Sequence, residues 1–281
     1  MTKLYNKSSC VVVILTFNSV EIIRETVTQA LKVSHNIFVV DSGSTDGTIE
    51  ILYELGCHVA KREFLGYSSQ RNWAINQVKE FSWQLHLDAD EVLDELGISQ
   101  INLALQEMSP HNAYMIKRRD YFMGKMLRFS GLNPWHLRLF KTGFVCCENR
   151  LYDQHFVSDG SVGRLKGFMH DKNCLTLTEW VRRHNHWSTL EAQEILNECA
   201  DRPGILRARF WGDARERTRF FKKIYYKLPN TLRSFLYFFY RYFIALGFLD
   251  GATGFYFIFF QALWFRMLVD AKYREILDLK N

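Results

Sequence analysis

Buried strands and helices alternate along the first part of this chain, and that alternation limits it to a few folds. Residues 10–16 (CVVVILT) form an unbroken apolar, β-branched run, which is typical of a strand buried on both faces. Apolar residues at helical spacing follow over 20–33, and a second buried strand is predicted at 36–41. Similar signals repeat as far as a strand at 83–88. Repeated β-α-β units predict a mostly parallel, Rossmann-type sheet with flanking helices.

Composition permits a large folded domain and argues against two classes of protein. The chain has 281 residues, 48% of them hydrophobic, so it can bury a substantial core and is not typical of disordered chains. Its net charge of +6 suits an anionic partner, such as a membrane surface or a phosphorylated substrate. The sequence contains no long basic run and no nucleic-acid recognition motif, so we expect no nucleic-acid partner.

The cysteines and the N-terminal residues indicate a reducing compartment. The six cysteines show no C-x-x-C spacing and no zinc-binding pattern. Cys10 and Cys57 lie in apolar, strand-like runs, where a free cysteine behaves as a small buried hydrophobe. Residues 1–9 lack the apolar core of a signal peptide. We therefore expect a cytoplasmic location.

The chain divides into three predicted regions. They are an α/β half at 1–110, a second half of the same domain at 111–200, and a basic and aromatic helical tail at 201–281. In the second region, alternating segments at 114–117 and 137–140 predict strands of a mixed sheet. Thr176 and Glu179 have the spacing of a capping box, which predicts a helix from there to about Cys199.

Two carboxylates follow the strand at 83–88, at the edge where open α/β sheets bind their ligands. Asp88 and Asp90 are one residue apart, and two acidic groups this close repel each other unless a cation lies between them. Hard oxygen ligands suit Mg²⁺ or Mn²⁺, and such a cation could neutralise a diphosphate. The alternative is a solvated acidic turn that caps the next helix.

A second polar segment, residues 41–47 (DSGSTDG), connects the strand at 36–41 to a helix. Its small residues let the backbone approach a ligand, and the helix N-terminus offers unpaired N–H groups. Asp41 could accept hydrogen bonds from a base or a ribose. The alternative is a capping turn that binds no ligand.

Four motifs occur in order in the first region: 16–18 (TFN), 41–48 (DSGSTDGT), 70–72 (QRN) and 88–90 (DAD). This order resembles that of family 2 glycosyltransferases, which are inverting enzymes with the GT-A fold. In that family the first two motifs and the acidic triplet surround the donor, and a helix with the third faces the donor diphosphate. The resemblance covers about the first 110 residues and implies a GT-A-like fold in which 111–200 binds the acceptor.

The resemblance implies a nucleotide-sugar donor, most simply UDP-linked, and Mn²⁺ or Mg²⁺ as cofactor. The residues implied for the nucleotide sugar are Thr16, Asn18, Asp41, Ser42, Arg71 and Asp88. Asp90 would ligate the metal most directly, with Asp88 beside it. Some GT-A enzymes recruit a late histidine as a further ligand, which makes His170 a metal candidate, although a lone histidine is more often structural.

Inversion needs a general base that takes the proton of the acceptor hydroxyl. Residues 147–155 supply the acidic candidates, and we favour Asp153 ahead of Glu148. This segment matches neither of the family's usual spellings of the base, and an ion pair with Arg150 is the alternative for either residue.

Acceptor-binding residues are predicted on the helix that begins near Thr176. Arg182, Arg183 and Trp187 could contact a phosphate and a sugar ring of the acceptor, whereas the alternative is a solvated basic face. His184 and His186 are two residues apart, so they do not share a helical face and make a poor metal pair.

The tail turns basic over 202–223 and then strongly apolar over 235–265, where Arg241 and Asp250 are the charged residues. A charge and two glycines at 250–254 would be costly at the centre of a bilayer, so two helices lying in the interface, or a shallow re-entrant pair, fit better than one span. The alternatives are packing on the catalytic domain or a contact in a homodimer. This tail resembles that of lipopolysaccharide-core and polysaccharide transferases.

Together these features predict a metal-dependent inverting glycosyltransferase at the cytoplasmic face of the inner membrane. It would transfer a sugar to a lipid-linked glycan in lipopolysaccharide or polysaccharide synthesis. One alternative is a polyprenyl-phosphate glycosyltransferase, which needs no base because its acceptor is a phosphate. Another is a non-catalytic scaffold that binds nucleotide sugars. A Rossmann-type oxidoreductase is disfavoured because no G-x-G-x-x-G follows the first strand.

Overall fold

The computed structural model describes residues 10–106, 109–172, 175–199 and 206–279. The N-terminal segment 1–9 and the basic residue Arg202, both used above, lie outside the described residues. The contacts divide the described chain into two compact units. The first unit contains 10–106, 109–118, 134–149 and 155–172, and the second contains 119–133, 150–154, 175–199 and 206–279. The three ranges drawn from the sequence stay a prediction.

The first unit is built on the predicted β-α-β alternation. Its parallel strands are β1 (Cys10–Thr16), β2 (Ile37–Asp41), β3 (His58–Lys61) and β4 (Trp83–Asp88), in the spatial order β3-β2-β1-β4. Its helices are α1 (Ile23–Ala30), α2 (Thr48–Glu54), α3 (Tyr67–Gln77) and α4 (Glu95–Gln106). Helix α1 is shorter than the predicted 20–33, because the N–H groups of Ile22 and Ile23 both donate to the Ser19 carbonyl and close a turn before the helix begins.

Among the described residues seven further strands follow, and five of them extend this sheet into a mixed one. They are β5 (Glu91–Leu93), β6 (Ala113–Phe122), β7 (Lys125–Met126), β8 (Trp135–Lys141), β9 (Val145–Cys147), β10 (Phe156–Ser158) and β11 (Val162–Asp171). Strand β8 runs antiparallel to both β4 and β6, and β5 runs antiparallel to β11. Strands β9 and β10 form a separate two-stranded ribbon.

Strand β1 lies at the centre of the core. Val12 and Ile14 face one side of the sheet, where they belong to the same apolar cluster as residues of α1 and α4. Val11 and Val13 face the other side with residues of α3. All seven residues of β1 are buried, as the unbroken apolar run predicts for a strand covered on both faces.

The second unit is mainly helical. It contains α5 (Leu177–Cys199), α6 (Ala214–Lys227), α7 (Leu232–Phe239), α8 (Gly251–Ile258) and α9 (Phe265–Asp278), with π-helical segments at Tyr240–Ile244 and Phe259–Trp264 and a 3₁₀ helix at Gly247–Asp250. The predicted capping interaction before α5 is present, since the Glu179 N–H donates to the Thr176 hydroxyl and the Thr176 N–H donates to the Glu179 carboxylate. A second capping box, Asp213 with Glu216, begins α6.

The aromatic tail is interrupted near the predicted position. The backbone of Leu246 is left-handed (φ 59°), and the 3₁₀ helix with Asp250 at its end separates α7 from α8. Within the described residues, one helical segment, Gly247–Asp278, is long and apolar enough to cross a membrane by length and composition. In its most apolar stretch 39% of the residues are buried inside the protein, so the larger share of that stretch is not covered by other parts of the chain.

Two glycines with the same backbone conformation provide a test of packing between β11 and α4. Gly167 (φ 90°) would place a Cβ 2.2 Å from the backbone nitrogen of Gly97, whereas Gly143 (φ 89°) has open space around it. We expect Gly143→Ala to lower the free energy of unfolding by about 1–2 kcal/mol through backbone strain. Gly167→Ala should cost about 1–3 kcal/mol more, because the methyl group overpacks the helix. Urea denaturation measures both, and equal losses would contradict this packing.

Candidate active site

Three of the predicted donor-binding residues lie at one edge of the parallel sheet. Thr16 at the end of β1 is in register with Asp41 at the end of β2, and Leu15 is in register with Asp88 at the end of β4. This is the edge formed by the carboxyl ends of the strands, where ligands of open α/β sheets bind. The structure therefore brings together residues that are far apart in the sequence.

Asp41 organises the turn that follows β2. Its carboxylate accepts hydrogen bonds from the backbone N–H groups of Gly43 (2.9 Å) and Ser44 (3.1 Å), and the side chain is fully buried. The left-handed conformation of Gly43 (φ 97°) lets the chain turn back over this carboxylate. Asp41 thus fixes the shape of the turn after β2, while the N-cap position of α2 is Gly47.

Asn18 joins the β1 loop to the same turn. Its side-chain oxygen accepts from the Thr45 N–H (2.9 Å), and its backbone N–H donates to the Ser44 hydroxyl (2.8 Å). The Ser42 N–H donates to the carbonyl of Thr16 (3.0 Å). The two loops that carry the first and second motifs therefore form one hydrogen-bonded surface.

The three residues of the QRN motif on α3 each contact a different element. Gln70 donates to the Ser42 hydroxyl (3.1 Å), so it supports the turn after β2. Asn72 donates to the carbonyl of Cys147 and accepts from its N–H, both at 2.8 Å, which fixes β9 against the helix. The middle residue, Arg71, is buried and points to the end of β4.

Four buried or half-buried charges form a network at the end of β4. One Asp88 oxygen lies 2.5 Å from the Arg71 guanidinium, and the other lies 3.1 Å from Arg138 on β8. Arg138 also contacts the buried carboxylate of Glu91 at 2.5 Å, and Glu91 accepts from the Asp88 N–H at 2.9 Å. The two guanidinium groups match two carboxylates, so the network is neutral as a whole.

This network keeps Asp88 ionised. Burial alone would raise the pKa of the Asp88 carboxyl, but the positive charges of Arg71 and Arg138 outweigh burial and hold the pKa below its usual range. In Glu91 burial is the stronger effect, and the pKa of that carboxyl is raised although Arg138 opposes the change. Removing one guanidinium would leave a buried negative charge without its partner.

A neutral histidine lies on the strand that carries this network. His86 on β4 is fully buried, its Nε2 lies 3.0 Å from Gln84 Oε1, and its ring stacks on Phe140 with a centroid distance of 5.0 Å. Burial lowers the pKa of His86 well below its usual value, and the positive charges of Arg71 and Arg138 lower it further.

Asp90 and His170 lie on paired segments. The backbone carbonyl of Asp90, which is half-buried, accepts from the Lys172 N–H (2.9 Å), and His170 on β11 is in register with Val92 on β5. Carboxylate and imidazole are donors that suit Mn²⁺, and carboxylate also suits Mg²⁺. Both oxygens of Asp88 already contact guanidinium groups, so ligation by Asp88 would compete with Arg71 and Arg138.

The protein alone supplies few metal ligands at this edge. In the part of the chain that the structure describes, no group of three or more His, Cys, Asp or Glu side chains could hold an ion. Divalent cations at phosphate-transfer sites often take one or two carboxylates and complete their coordination with substrate phosphates and water. An ion at this edge would therefore depend on a diphosphate and water for most of its coordination.

The two candidate bases have different surroundings. Glu148 in the first unit is fully buried, and its carboxylate accepts from the His155 N–H (2.9 Å). Asp153 in the second unit has a side chain that is 35% exposed and a left-handed backbone (φ 57°). Its carboxylate lies 3.0 Å from Lys222 on α6.

Lys222 and Arg150 belong to a set of ion pairs in the second unit. Lys222 also contacts Glu191 on α5 at 2.7 Å, and Arg150 lies 3.4 Å from Glu194 on the same helix. Burial would lower the pKa of Lys222, but the negative charges of Asp153 and Glu191 raise it, so its ammonium group remains charged.

The predicted acceptor residues lie on α5. Arg182 is exposed, and the Arg183 guanidinium lies over the Trp187 ring at 5.7 Å. His184 is buried, and its ring stacks on Trp180 at 3.4 Å. Burial lowers the pKa of His184 to about 4, so this histidine is a neutral packing residue.

Comparison with known proteins identifies the family. The family model described as "Glycosyl transferase family 2" matches residues 11–161, which is more than half of the chain. The chain belongs to glycosyl transferase family 2. The predicted family, the GT-A-like fold with flanking helices and the enzyme class are thereby confirmed. The sheet is mixed and not mostly parallel as expected, because β5, β6, β7, β8 and β11 form antiparallel pairs.

Relatives of this family 2 glycosyltransferase occur among bacterial proteins. It is 26% identical over 200 residues to an uncharacterised glycosyltransferase of Rickettsia typhi, a match that covers 66% of this chain and 67% of the relative. It is 27% identical over 188 residues to the lipopolysaccharide core biosynthesis glycosyltransferase LpsC of Rhizobium meliloti, with 62% and 67% covered.

The fold is also similar to that of a solved glycosyltransferase. The mannosyltransferase PcManGT from Pyrobaculum calidifontis, in complex with GDP-Man and Mn²⁺, has a TM-score of 0.52 and 12% sequence identity. The similarity covers 94% of this chain and 86% of that one. At this identity the comparison supports the fold alone.

Two residues of this glycosyltransferase site, Arg138 and Glu91, were absent from the sequence-based candidates. Arg138 is the one charged residue within Leu137–Phe140, an otherwise apolar part of β8. A single charge in a buried strand indicates that an oppositely charged partner lies nearby. Glu91 directly follows the acidic triplet, but its role depends on the pairing of β4 with β8.

The neutral state of His86 predicts a dependence of stability on pH. Because its pKa is lower in the folded protein than in the unfolded chain, the unfolded chain binds the proton first. The contribution of His86 to the free energy of unfolding should be complete above about pH 6.5 and should be lost as the pH falls below that value. The loss should amount to at most about 1.4 kcal/mol per pH unit.

His86→Gln keeps a polar side chain beside Gln84 and removes this contribution, so its stability should fall less steeply between pH 6.5 and 5. The exposed His186 on α5 provides the control, since His186→Gln should leave the slope unchanged. Urea unfolding at a series of pH values measures the slopes. Parallel profiles for His86→Gln and the unmodified protein would contradict a neutral buried His86.

Proposed function

We propose that this chain is a metal-dependent inverting glycosyltransferase that transfers a sugar from a nucleotide sugar, UDP-linked, to a lipid-linked glycan. The observation that carries the proposal is the charge network of Asp88, Glu91, Arg71 and Arg138 at the sheet edge that also holds Asp90. A buried network of this kind is costly to build, and at a ligand-binding edge it indicates a site that handles charge.

Donor binding is assigned to the hydrogen-bonded loops after β1 and β2. Two buried oxygens lie beside these loops, Thr16 Oγ1 at the end of β1 and Gln70 Oε1 on α3, and neither has a hydrogen-bond partner among the described residues. Buried polar atoms are normally satisfied, so these two are acceptors available to N–H or hydroxyl groups of a nucleoside. We assign Asn18, Asp41 and Ser42 to shaping this pocket, since their hydrogen bonds fix the loops.

We assign the cation, Mn²⁺ or Mg²⁺, to Asp90 and His170, with Asp88 beside them. When bound, the cation neutralises charge on the diphosphate leaving group. Arg71 has two tasks in this proposal: it keeps Asp88 ionised, and it contributes a positive charge on the diphosphate side of α3. Arg138 holds Asp88 and Glu91 in place from β8.

Asp153 is the better candidate for the general base. A base must reach the acceptor hydroxyl, and the Asp153 side chain is 35% exposed whereas Glu148 is fully buried. Its carboxylate would take the hydroxyl proton while the hydroxyl oxygen bonds to the anomeric carbon. The bond from that carbon to the diphosphate oxygen breaks, and the nucleoside diphosphate leaves with the electron pair.

The lipid-linked acceptor and a place at the cytoplasmic face of the inner membrane are proposed from the second unit. Its exposed apolar side chains between 232 and 249 are Leu232, Phe235, Leu236, Phe239, Tyr240, Phe243, Ile244, Leu246, Phe248 and Leu249. Helix α6 carries exposed Arg217, Lys223 and Lys227. Aromatic and basic surfaces together favour an anionic bilayer interface, and a contact in a homodimer is the alternative. The name of the LpsC relative supports a role in lipopolysaccharide or polysaccharide synthesis.

A phosphate acceptor, as in a polyprenyl-phosphate glycosyltransferase, is the second candidate. It is favoured by the surroundings of Asp153, because Arg150, Arg219, Lys222 and Lys223 line one pocket with it. Lys222 and Arg150 also pair with Glu191 and Glu194, so these four cations face three carboxylates, and the small excess of positive charge suits an anionic group of a substrate. Arg182, Arg183 and Trp187 remain proposed acceptor contacts in either case.

Asp90→Asn tests the metal assignment. The substitution keeps the size of the side chain and removes the negative charge, so we expect turnover with a nucleotide sugar and Mn²⁺ to fall about 10²-fold or more. Asp159, an exposed acid in the first unit, is the matched control, and Asp159→Asn should keep full activity. A panel of nucleotide sugars, screened by thermal shift with and without Mn²⁺, identifies the donor to use. Full activity of Asp90→Asn, or of the unmodified protein in chelator, would refute metal dependence.

Asp153→Asn separates the two acceptor chemistries. With a hydroxyl acceptor the rate should fall about 10²-fold while donor affinity is kept, because the proton has no acceptor. The exposed Asp278 in α9 is the control, since Asp278→Asn should have no effect. A normal rate for Asp153→Asn with a loss in Glu148→Gln would move the base to Glu148. Normal rates in both variants would favour the phosphate acceptor.

A further inference from the structure

The loop between β6 and β8 presents apolar and basic side chains to solvent. Met123, Phe129 and Leu132 are 58%, 43% and 40% exposed, and Lys125 and Arg128 are exposed between them. This loop, residues 123–132, belongs to the second unit. Single exposed hydrophobic residues are normal, but three in one short loop beside two cations form an amphipathic tip.

No negative charge is exposed on this loop. The acidic residue of 119–133 is Asp120, which is 4% exposed, and its carboxylate accepts from the backbone N–H groups of Leu132 (2.6 Å) and Asn133 (3.3 Å). Asp120 therefore shapes the base of the loop from inside. The charges that the tip presents to a partner are positive, so an anionic partner is favoured.

Asp250 fastens this loop to the aromatic tail. Its carboxylate accepts from the backbone N–H groups of Arg128 (3.2 Å), Phe129 (2.9 Å) and Ser130 (2.7 Å), and from the Ser130 hydroxyl (2.6 Å). Four hydrogen bonds to one carboxylate fix the loop backbone, because bonds to an ionised acceptor are the stronger kind. This contact also explains why a charge can stand within an apolar tail.

Arg241 holds the same loop from the other side. Its guanidinium donates to the carbonyl of Ser130 and to the Tyr237 hydroxyl. Both charged residues of the apolar stretch therefore bind one fully buried serine. The packing leaves no room for larger side chains, since a Cβ on Gly254 would lie 2.6 Å from the Gly247 carbonyl and 3.3 Å from the Ser130 hydroxyl.

The hydrogen bonds of Asp250 and Arg241 to residues 128–130 form a clamp, and this clamp joins the loop to an exposed part of the tail. Leu246, Phe248 and Leu249 are exposed and lie within four residues of Asp250 in the sequence, while Phe129 donates its N–H to that same residue. We infer that loop 123–132 is a second bilayer contact, locked to the tail by Asp250 and Arg241, and that its partner is an anionic lipid surface. This inference rests on the proposed membrane association of the tail.

Vesicle partition tests the loop directly. The full-length protein is sedimented with vesicles of phosphatidylglycerol and phosphatidylethanolamine, and with neutral phosphatidylcholine vesicles. Phe129→Ser combined with Leu132→Ser should lower partition to the anionic vesicles about 10-fold, because two half-exposed apolar side chains no longer enter the interface. The control pair, Leu103→Ser with Phe144→Ser, removes equally exposed apolar residues of the first unit and should change nothing.

Removing the two positive charges of the loop identifies the kind of partner. Lys125→Gln combined with Arg128→Gln should weaken binding to anionic vesicles by about 10-fold or more, since each cation near such a surface contributes roughly a factor of five. Binding to neutral vesicles should stay unchanged. An equal loss on both lipids would overturn the assignment of an anionic surface.

A substitution of Asp250 tests whether the clamp holds the loop in place. Asp250→Ala removes both carboxylate oxygens and with them all four hydrogen bonds to the loop, so the loop should detach and partition should fall to the level of the Phe129/Leu132 variant. Adding the loop substitutions to Asp250→Ala should give no further loss, because both act on one contact. Far-ultraviolet circular dichroism, which reports on the helices of the second unit, checks that each variant is folded.

Three outcomes would overturn the inference. If the loop variant partitions like the unmodified protein while Phe235→Ser with Phe239→Ser weakens binding, the tail alone contacts lipid and the proposed membrane association stands. If the unmodified protein does not bind anionic vesicles, membrane association and the loop contact both fail. If the loop variant instead changes the sedimentation coefficient without vesicles, the surface joins copies of this chain.

Discussion

The ion pairs between Asp88, Glu91, Arg71 and Arg138 are the interaction on which this site depends. They lie at the end of β4, and their members come from α3, β4, β5 and β8. Each charge would be costly to bury alone, so all four elements must be in place before any of them is stable. The position of the acidic triplet is therefore a result of the whole sheet, and the ionised state of Asp88 follows from it.

Much of the fold could be predicted from the sequence because it depends on local patterns. The apolar run of β1 and the turn that begins at Asp41 each specify their structure within a few residues. Strand β5 could not be predicted this way. It has three residues, Glu91–Leu93, and it exists because β11 pairs with it from a distant part of the chain. The early start predicted for α1 failed for a local reason, since a turn closed at the Ser19 carbonyl precedes the helix.

The sequence predicted those site residues whose position follows from the order of strands and helices along the chain. Thr16, Asp41 and Asp88 reach one edge because parallel strands end there, which the alternation of elements already implies. Arg138 was missed because an antiparallel strand brings it beside β4, and no spacing in the sequence encodes that pairing. The partner of Asp153 was also missed: Lys222 lies in the basic stretch 202–223, which the sequence assigned to the tail and not to the site.

The origin of Arg138 has a consequence for how the protein can be divided. Strand β8 lies beyond residues 1–110, the half predicted to bind the donor, yet its Arg138 completes the charge balance inside that half. A fragment ending before β8 would enclose two carboxylates with one guanidinium. Recombining the predicted donor half with acceptor halves of other enzymes would therefore require the matching arginine to be included in the graft.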